Sequence, residues 1–409
     1  MRILVMPFAS LAFAAPPRRQ RKANGTNLGR AAVVAAILWL TVTPVAADPG
    51  VTSDRVLFGQ SAALDGPSAD LGLQMQRGIL AAFNEVNRAG GVNGRRLDLV
   101  SLDDRYEPEL AIANTRRLIE SDGVFALIGE VGTPTSAAAE PIAHAAGVPF
   151  IAPVTGAEFL RDPQLRNVVN VRASYYQETE AIVDRLVRDL GVSRIAVLYQ
   201  DDSYGRTGLA GVRQALERRG MSPVGAGTYP RNTTAVKAAL LALRRQEPEA
   251  IVVIGAYQPS ASFTAWARKL GIDAVILNIS FVGSNALAAA AGPAGDGVYI
   301  SQVVPFPEGD AIPLLAEYRA ALSAEDAAGL PTFGSLEGYI AGRLTAEALS
   351  RTPDPPTREG FLSALAETSP FDIAGFTLTY GPGNNRGSDR VYLTVIRDGS
   401  ILPVQRLAR

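Results

Sequence analysis

The chain is predicted to be an α/β protein, with parallel sheets flanked by helices, on three observations. Short apolar runs alternate with helical segments along most of its length. Those runs are apolar at consecutive positions, as in strands covered by helices on both faces. The roughly 360 residues that follow an N-terminal leader exceed one ordinary core, because a domain usually takes about 100–200 residues. Strand and helix in alternation imply parallel pairing with right-handed crossovers, and the length implies two domains.

The elements can be justified in order. Residues Ala31 to Thr43 form a short apolar segment behind the basic run Arg18-Arg-Gln-Arg-Lys22 and Arg30, and Val45-Ala46-Ala47 supplies small residues for cleavage. Residues 1–47 therefore read as a signal peptide, since the apolar run falls short of the ~20 residues of a membrane span. Val56 to Ala62 is a strand ending in the loop Asp65-Gly66-Pro67. Leu71, Met75, Ile79, Phe83 and Val86 then recur at helical spacing as far as the turn Gly90-Gly-Val-Asn-Gly94. A loop between strand and helix is where an open α/β sheet offers a ligand site.

Further strands are expected at Leu97 to Leu102, Val124 to Ile128, Ile195 to Tyr199, Ile251 to Ile254 and Val275 to Leu277. Between them come helices at Pro108 to Ser121, Thr135 to Ala146, Gly208 to Arg219, Val236 to Gln246 and Ser260 to Leu270. Val56 to Gly72 and Ile195 to Gly208 echo one another as strand, acidic loop and helix start. Two similar lobes account for the echo, and so does one very large sheet. The C-terminal part changes character, with helices at Ser335 to Leu349 and Thr357 to Ala366. A β-rich end follows, containing Phe376 to Tyr380, the turn Gly381-Pro-Gly383, and Val391 to Ile396.

Composition excludes several classes of function. Removing the leader takes away six basic residues and no acids, so the formal charge falls from −1 to −7. An acidic surface does not suit nucleic acid, which needs clustered Lys and Arg. There is no cysteine, hence no disulfide, no Cys-ligated metal and no lipidated cysteine. A soluble periplasmic location is expected. The lone His144 lies in a predicted helix without a G-x-S-x-G elbow, and reads as an ordinary helix histidine. No nucleotide loop or metal-ligand cluster is present, so neither cofactor nor metal is expected. Asp103 and Asp104 are adjacent on a strand and point to opposite faces, which disfavours them as a catalytic pair. The chain is not expected to be an enzyme.

The opening Ser61-Ala-Ala-Leu-Asp-Gly-Pro-Ser-Ala-Asp-Leu-Gly72 and its helix resemble the type I solute-binding proteins of branched-chain amino acid ABC importers. So do Leu127-Ile-Gly-Glu130 leading to Thr133, Pro149-Phe-Ile-Ala-Pro153, Tyr199-Gln-Asp-Asp-Ser-Tyr-Gly205 and Gly255-Ala-Tyr257. The resemblance covers nearly the whole mature chain. It implies a two-lobed type I periplasmic-binding-protein fold with a three-strand hinge that closes on a small ligand. Lobe one would comprise 54–175 and 304–390, and lobe two 176–303 and 391–409. The implied partners are a small carboxylate or amino-acid-like ligand and the membrane permease of an ABC importer, with the protein itself a monomer. A ligand-sensing module for a separate receptor chain is the alternative.

The resemblance also implies site residues. Thr133 aligns with a hydroxyl that binds the ligand carboxylate, at a helix start where free N–H groups favour an anion; the other reading makes Thr133 the helix cap. Val154, Thr155 and Gly156 correspond to the loop that completes this site, with Gly156 where the family has threonine. Tyr204 and Tyr257 match aromatic positions that lobe two brings over the ligand. One of Asp201, Asp202 and Ser203 is expected to cap the helix that follows. Phe281 stands where amino acid binders place a glutamate for the ligand ammonium, and Leu71 where relatives often carry an aromatic. A buried ammonium without an anionic partner is heavily penalised. Either Asp65, Asp201 or Asp202 substitutes, or the ligand is a non-amino carboxylate or modified amino acid. The family's N-terminal disulfide is absent, with Gly132 at one of its positions.

Overall fold

The computed structural model describes residues 48–326 and 329–408. The expected leader, 1–47, lies outside them. The first sheet is built from β1 (Arg55–Ala62), β2 (Arg96–Asp103), β3 (Ala126–Ile128), β4 (Phe150–Ile151) and β5 (Val168–Val169), in the order β2-β1-β3-β4-β5 and parallel throughout. Its crossovers are α1 (Ala69–Arg88), α2 (Pro108–Glu120) and α3 (Thr133–Ala145).

The chain then passes through 170–174 into a second unit of alternating elements. These are α4 (Tyr175–Leu190), β6 (Ile195–Gln200), α5 (Ser203–Glu217), β7 (Gly225–Tyr229), α6 (Lys237–Arg244), β8 (Ala250–Ile254), α7 (Tyr257–Lys269), β9 (Val275–Asn278), α8 (Ser284–Ala291) and β10 (Tyr299–Gln302). It returns to pack α9 (Pro313–Glu325) and α10 (Phe333–Ser350) on α1, followed by α11 (Arg358–Glu367). A small antiparallel sheet follows, made of β11 (Phe371–Ile373), β12 (Phe376–Gly381) and β13 (Asn384–Gly387). A third passage leads to β14 (Tyr392–Arg397) and β15 (Ser400–Val404), which join the second sheet antiparallel, giving the order β15-β14-β10-β9-β8-β6-β7.

Two separate major sheets joined by three chain passages make the two-lobed α/β architecture and exclude the single large sheet. Each sheet is packed on both faces, as its central strands require: all five residues of β8 are buried. The edge strand β7 alternates exposed and half-buried residues until Tyr229, because α6 covers the face that carries Gly225 and Gly227 and leaves the other open. Where α1 meets α10, Gly78 and Gly338 permit backbone contact. A Cβ on Gly78 would stand 1.9 Å from the Ser335 carbonyl oxygen, and one on Gly338 2.3 Å from that of Met75. Among the described residues no helix is long and apolar enough to cross a membrane.

Candidate ligand-binding cleft

The segments that carry the sequence-derived site residues follow the C-terminal ends of parallel strands, the position where open α/β sheets bind ligands. Leu71 lies in the first turn of α1 after β1, Thr133 opens α3 after β3, and Val154 to Gly156 follow β4. From the second sheet, Tyr204 lies in the first turn of α5 after β6, Tyr257 opens α7 after β8, and Phe281 follows β9.

Thr133 is the first residue of α3 and not its cap. Gly132 occupies the cap position with φ 104°, and no side chain caps the helix. Only glycine serves at 132, since a Cβ there would also strike the Tyr106 ring at 2.1 Å. The Thr133 Oγ1 is fully buried and lies 2.7 Å from the Thr155 Oγ1. Thr155 also accepts from the Ala157 N–H at 3.2 Å. The Gly156 carbonyl accepts from the Tyr175 N–H at 2.7 Å, and the Tyr175 phenol faces the Thr133 and Thr155 hydroxyls, which interact with it at longer than ordinary hydrogen-bond range. Burial raises the Tyr175 pKa, so the phenol keeps its proton and remains a donor.

Rings from both sheets enclose this cluster. Tyr204 lies 5.4 Å from Tyr175 and 4.6 Å from Phe281, and Phe281 lies 5.8 Å from Tyr106. Tyr106 comes from the first unit and accepts at its hydroxyl from the Gln200 amide of the second, at 3.2 Å. Tyr204 owes its position to Asp202, whose carboxylate caps α5 by accepting from the Tyr204 and Gly205 N–H groups. Tyr257 is half-buried beside Gly283 and Leu71, with its hydroxyl near the Asp70 backbone.

A cavity of about 40 Å³ lies between the two units. Leu71, Val154 and Phe281 form apolar parts of its lining, while Arg172, Gln302 and Glu337 are among its polar ones. Thr133, Thr155, Gly156, Tyr204 and Tyr257 do not line it. The residues proposed from sequence therefore fall into two adjoining groups, a hydroxyl-and-ring cluster and a cavity wall.

The acids considered as substitutes for the missing glutamate do not line the cavity either. Asp65 and Asp201 are exposed, and Asp202 is engaged with Arg231, Gln200 and the α5 cap. Two buried acids follow β2 and β3 of the first sheet. Burial, with Asp104 beside it, pushes the Glu130 carboxyl well above the carboxylate range, and both its oxygens lack a protein partner. Burial pushes Asp104 up to about 6, although Tyr106 N–H and Ser61 Oγ donate to it. Asp103 points the other way and accepts from the Leu64, Asp65 and Arg105 N–H groups. His144 is half-exposed on α3, 2.9 Å from Asn167 Oδ1.

Sequence reasoning missed Tyr106, Tyr175, Arg172 and Glu337. Ser174 and Gln177 form a capping box at the start of α4, a legible signal that a helix begins beside Tyr175. Nothing local signals that its phenol meets Thr133 across the fold.

The sequence profile of the family described as periplasmic binding protein matches residues 56–400. The chain belongs to this family. A crystal structure of a possible leucine/isoleucine/valine-binding protein from Rhodopirellula baltica is 37% identical with a TM-score of 0.82, covering 86% of this chain and 96% of that one. A substrate-binding periplasmic protein from Ralstonia solanacearum is 31% identical with a TM-score of 0.80, covering 85% and 100%. Among curated relatives, a Leu/Ile/Val-binding protein homolog from Brucella abortus is 28% identical over 243 residues, 58% of this chain. The alignment spans about 61% of that relative's own length. As a periplasmic binding protein, the chain is a binder and not an enzyme.

Proposed function

We propose that this protein is an extracytoplasmic solute-binding protein. It captures a small carboxylate-bearing ligand, an amino acid or an aromatic or organic acid, by lobe closure and delivers it to an ABC importer. The hinge passages divide lobe one, about 54–175 and 304–390, from lobe two, about 176–303 and 391–409. The observation that carries the reading is the convergence of the Thr133, Thr155 and Tyr175 hydroxyls at the start of α3. These are three hydroxyls at a helix N-terminus, where an anion is favoured; one threonine donates to the other, and the Tyr175 phenol keeps its proton to donate.

The aromatic rings of Tyr204 and Phe281 give the ligand body an apolar cover, with Tyr257 at the edge of the closing lobe. Phe281 offers no charge to an ammonium, which favours a non-amino carboxylate or modified amino acid over leucine or valine. The Leu/Ile/Val names of relatives support the amino acid class more broadly. Calorimetry with leucine, valine, isovalerate and benzoate tests the class. A carboxylate that binds should shrink the radius of gyration in small-angle scattering, and Thr133→Ala should weaken it about tenfold, since hydrogen bonds to charged groups contribute roughly 1.5–3 kcal/mol. Unchanged affinity in Thr133→Ala would mean that the anion sits elsewhere.

A further inference from the structure

Arg172 sits on the passage between β5 and α4 and lines the cavity together with Glu337 of α10. Its Nε and Nη2 donate to the two Glu337 carboxylate oxygens, each at 2.8 Å, and both side chains are about 3% exposed. That bidentate pair uses one edge of the guanidinium. The remaining nitrogen, Nη1, is fully buried and has no protein partner. Of the described residues that line the cavity, Arg172 alone keeps such an atom. The neighbouring polar side chains are engaged: Gln302 donates to Ser284 and Thr394, and Gln74 bonds Asp70 and Thr332.

Arg161 supplies the internal contrast. It is equally buried, yet its Nη1 donates to the Ala157 carbonyl at 2.8 Å and its Nη2 to the Arg172 carbonyl at 2.9 Å. It does not line the cavity. A guanidinium that serves structure alone is paired at both ends, whereas Arg172 is paired along one edge only and belongs to the cavity lining. Buried donors are rarely left unmade, because their desolvation is not repaid.

We propose that Arg172, oriented by Glu337, recognises a second, neutral acceptor oxygen on the ligand. The cleft would thus select carboxylates that carry a further hydroxyl or carbonyl group within reach of Arg172. A neutral oxygen suits the electrostatics better than a second carboxylate, because Glu337 already balances the Arg172 charge and Asp70 adds a negative one to the same lining. The inference rests on the carboxylate reading above. An unsubstituted ligand would leave Nη1 buried and unpaired, and a site built to hydrogen-bond a substrate discriminates strongly against analogues lacking the group.

The test is calorimetry with two matched pairs of probes, 4-hydroxybenzoate against benzoate and 4-oxopentanoate against pentanoate. In the wild type the oxygenated member of a binding pair should be tighter by about tenfold or more. In the double variant Arg172→Met/Glu337→Met, which replaces the ion pair with apolar groups of similar length, the preference should fall to about unity while the plain carboxylate still binds. Arg172→Lys keeps a charge opposite Glu337 but lacks Nη1, and should lose the preference too if the double variant does not fold. Because the readout is a ratio of affinities, a loss of packing alone does not imitate it. Equal binding within a pair by the wild type, or a preference that survives both variants, overturns the role of Arg172. If no member of either pair binds, this inference is overturned, and the carboxylate reading fails with it only if leucine and valine do not bind either.

Discussion

The loops that follow β3 and β4 bring hydroxyls to the cleft, Thr133 and Thr155, whereas those that follow β6 and β9 bring rings, Tyr204 and Phe281. Both walls rise from the same scaffold of parallel strand, loop and helix, so the difference lies in the side chains alone. Hydroxyls lose little when an opening cleft lets water in, because water replaces their partners. Under the proposed closure, rings would lose their cover and gain it back, so the aromatic wall would favour the closed form and the hydroxyl wall would select what is closed upon. Tyr106 joins the two, since it springs from the first unit and packs on Phe281 of the second.

The largest test of that contrast is Phe281→Ala. Phe281 is 1% exposed and packed between two rings, so its truncation should destabilise the protein by about 3–5 kcal/mol, measured by urea unfolding. A cost under about 1 kcal/mol would show that the ring wall is not part of the folded core.

Next in size is the pH response of the buried acid that follows β2. Asp104 has its pKa raised by burial from 3.8 to about 6. Below pH ~3 it is protonated in both folded and unfolded chains and costs nothing. As pH rises from about 4 to 6 the unfolded chain releases the proton first, so stability is lost, by about 3 kcal/mol at most from this group. Asp104→Asn keeps an acceptor for the Tyr106 N–H and should lack that loss. Unfolding free energies at pH 4, 5, 6 and 7 that change in parallel for variant and wild type would contradict the assignment.

Thr155→Val should separate selection from cover. It removes a hydroxyl and preserves shape, and should cost about 1 kcal/mol of stability yet weaken whichever carboxylate binds in the calorimetric panel by about tenfold. An affinity within twofold of the wild type would leave the hydroxyl wall without its assigned role.

The smallest effect is expected at the rim. Arg231 of the second unit pairs with Glu107 of the first at 2.7 Å, and Asn232 donates to the same carboxylate at 2.8 Å. The guanidinium is partly exposed, so Arg231→Ala should reduce ligand affinity by no more than about fivefold, in line with the 0.2–1 kcal/mol of an accessible ion pair. The dependence of that affinity on salt should weaken with it. A variant as salt-sensitive as the wild type would show that the pair does not hold the lobes together.

Legibility in the sequence followed the range of the interaction. The start of α5 was readable to the extent that one of three polar residues had to cap it, and Asp202 does so through bonds to the second and third residues that follow it. At α3 the same reasoning left Thr133 open between cap and ligand contact, and the cap role fell because Gly132 takes that position with a positive φ against the Tyr106 ring. The acids offered in place of the missing glutamate were chosen by nearness in sequence to the loops, and none of the three lines the cavity.

What the sequence determined by itself was periodic or local: alternating strands and helices, helix starts and the loops between them, on which the family resemblance singled out Thr133, Thr155, Tyr204, Tyr257 and Phe281. Hydrophobic spacing and capping act over a few residues and leave a pattern in the order of the letters. What only the tertiary structure decided was pairing across the fold. Thr133 meets Thr155 from 22 residues away, and Arg172 meets Glu337 from 165. Such contacts depend on how the sheets and α10 pack around the hinge, and no local preference of either residue encodes them.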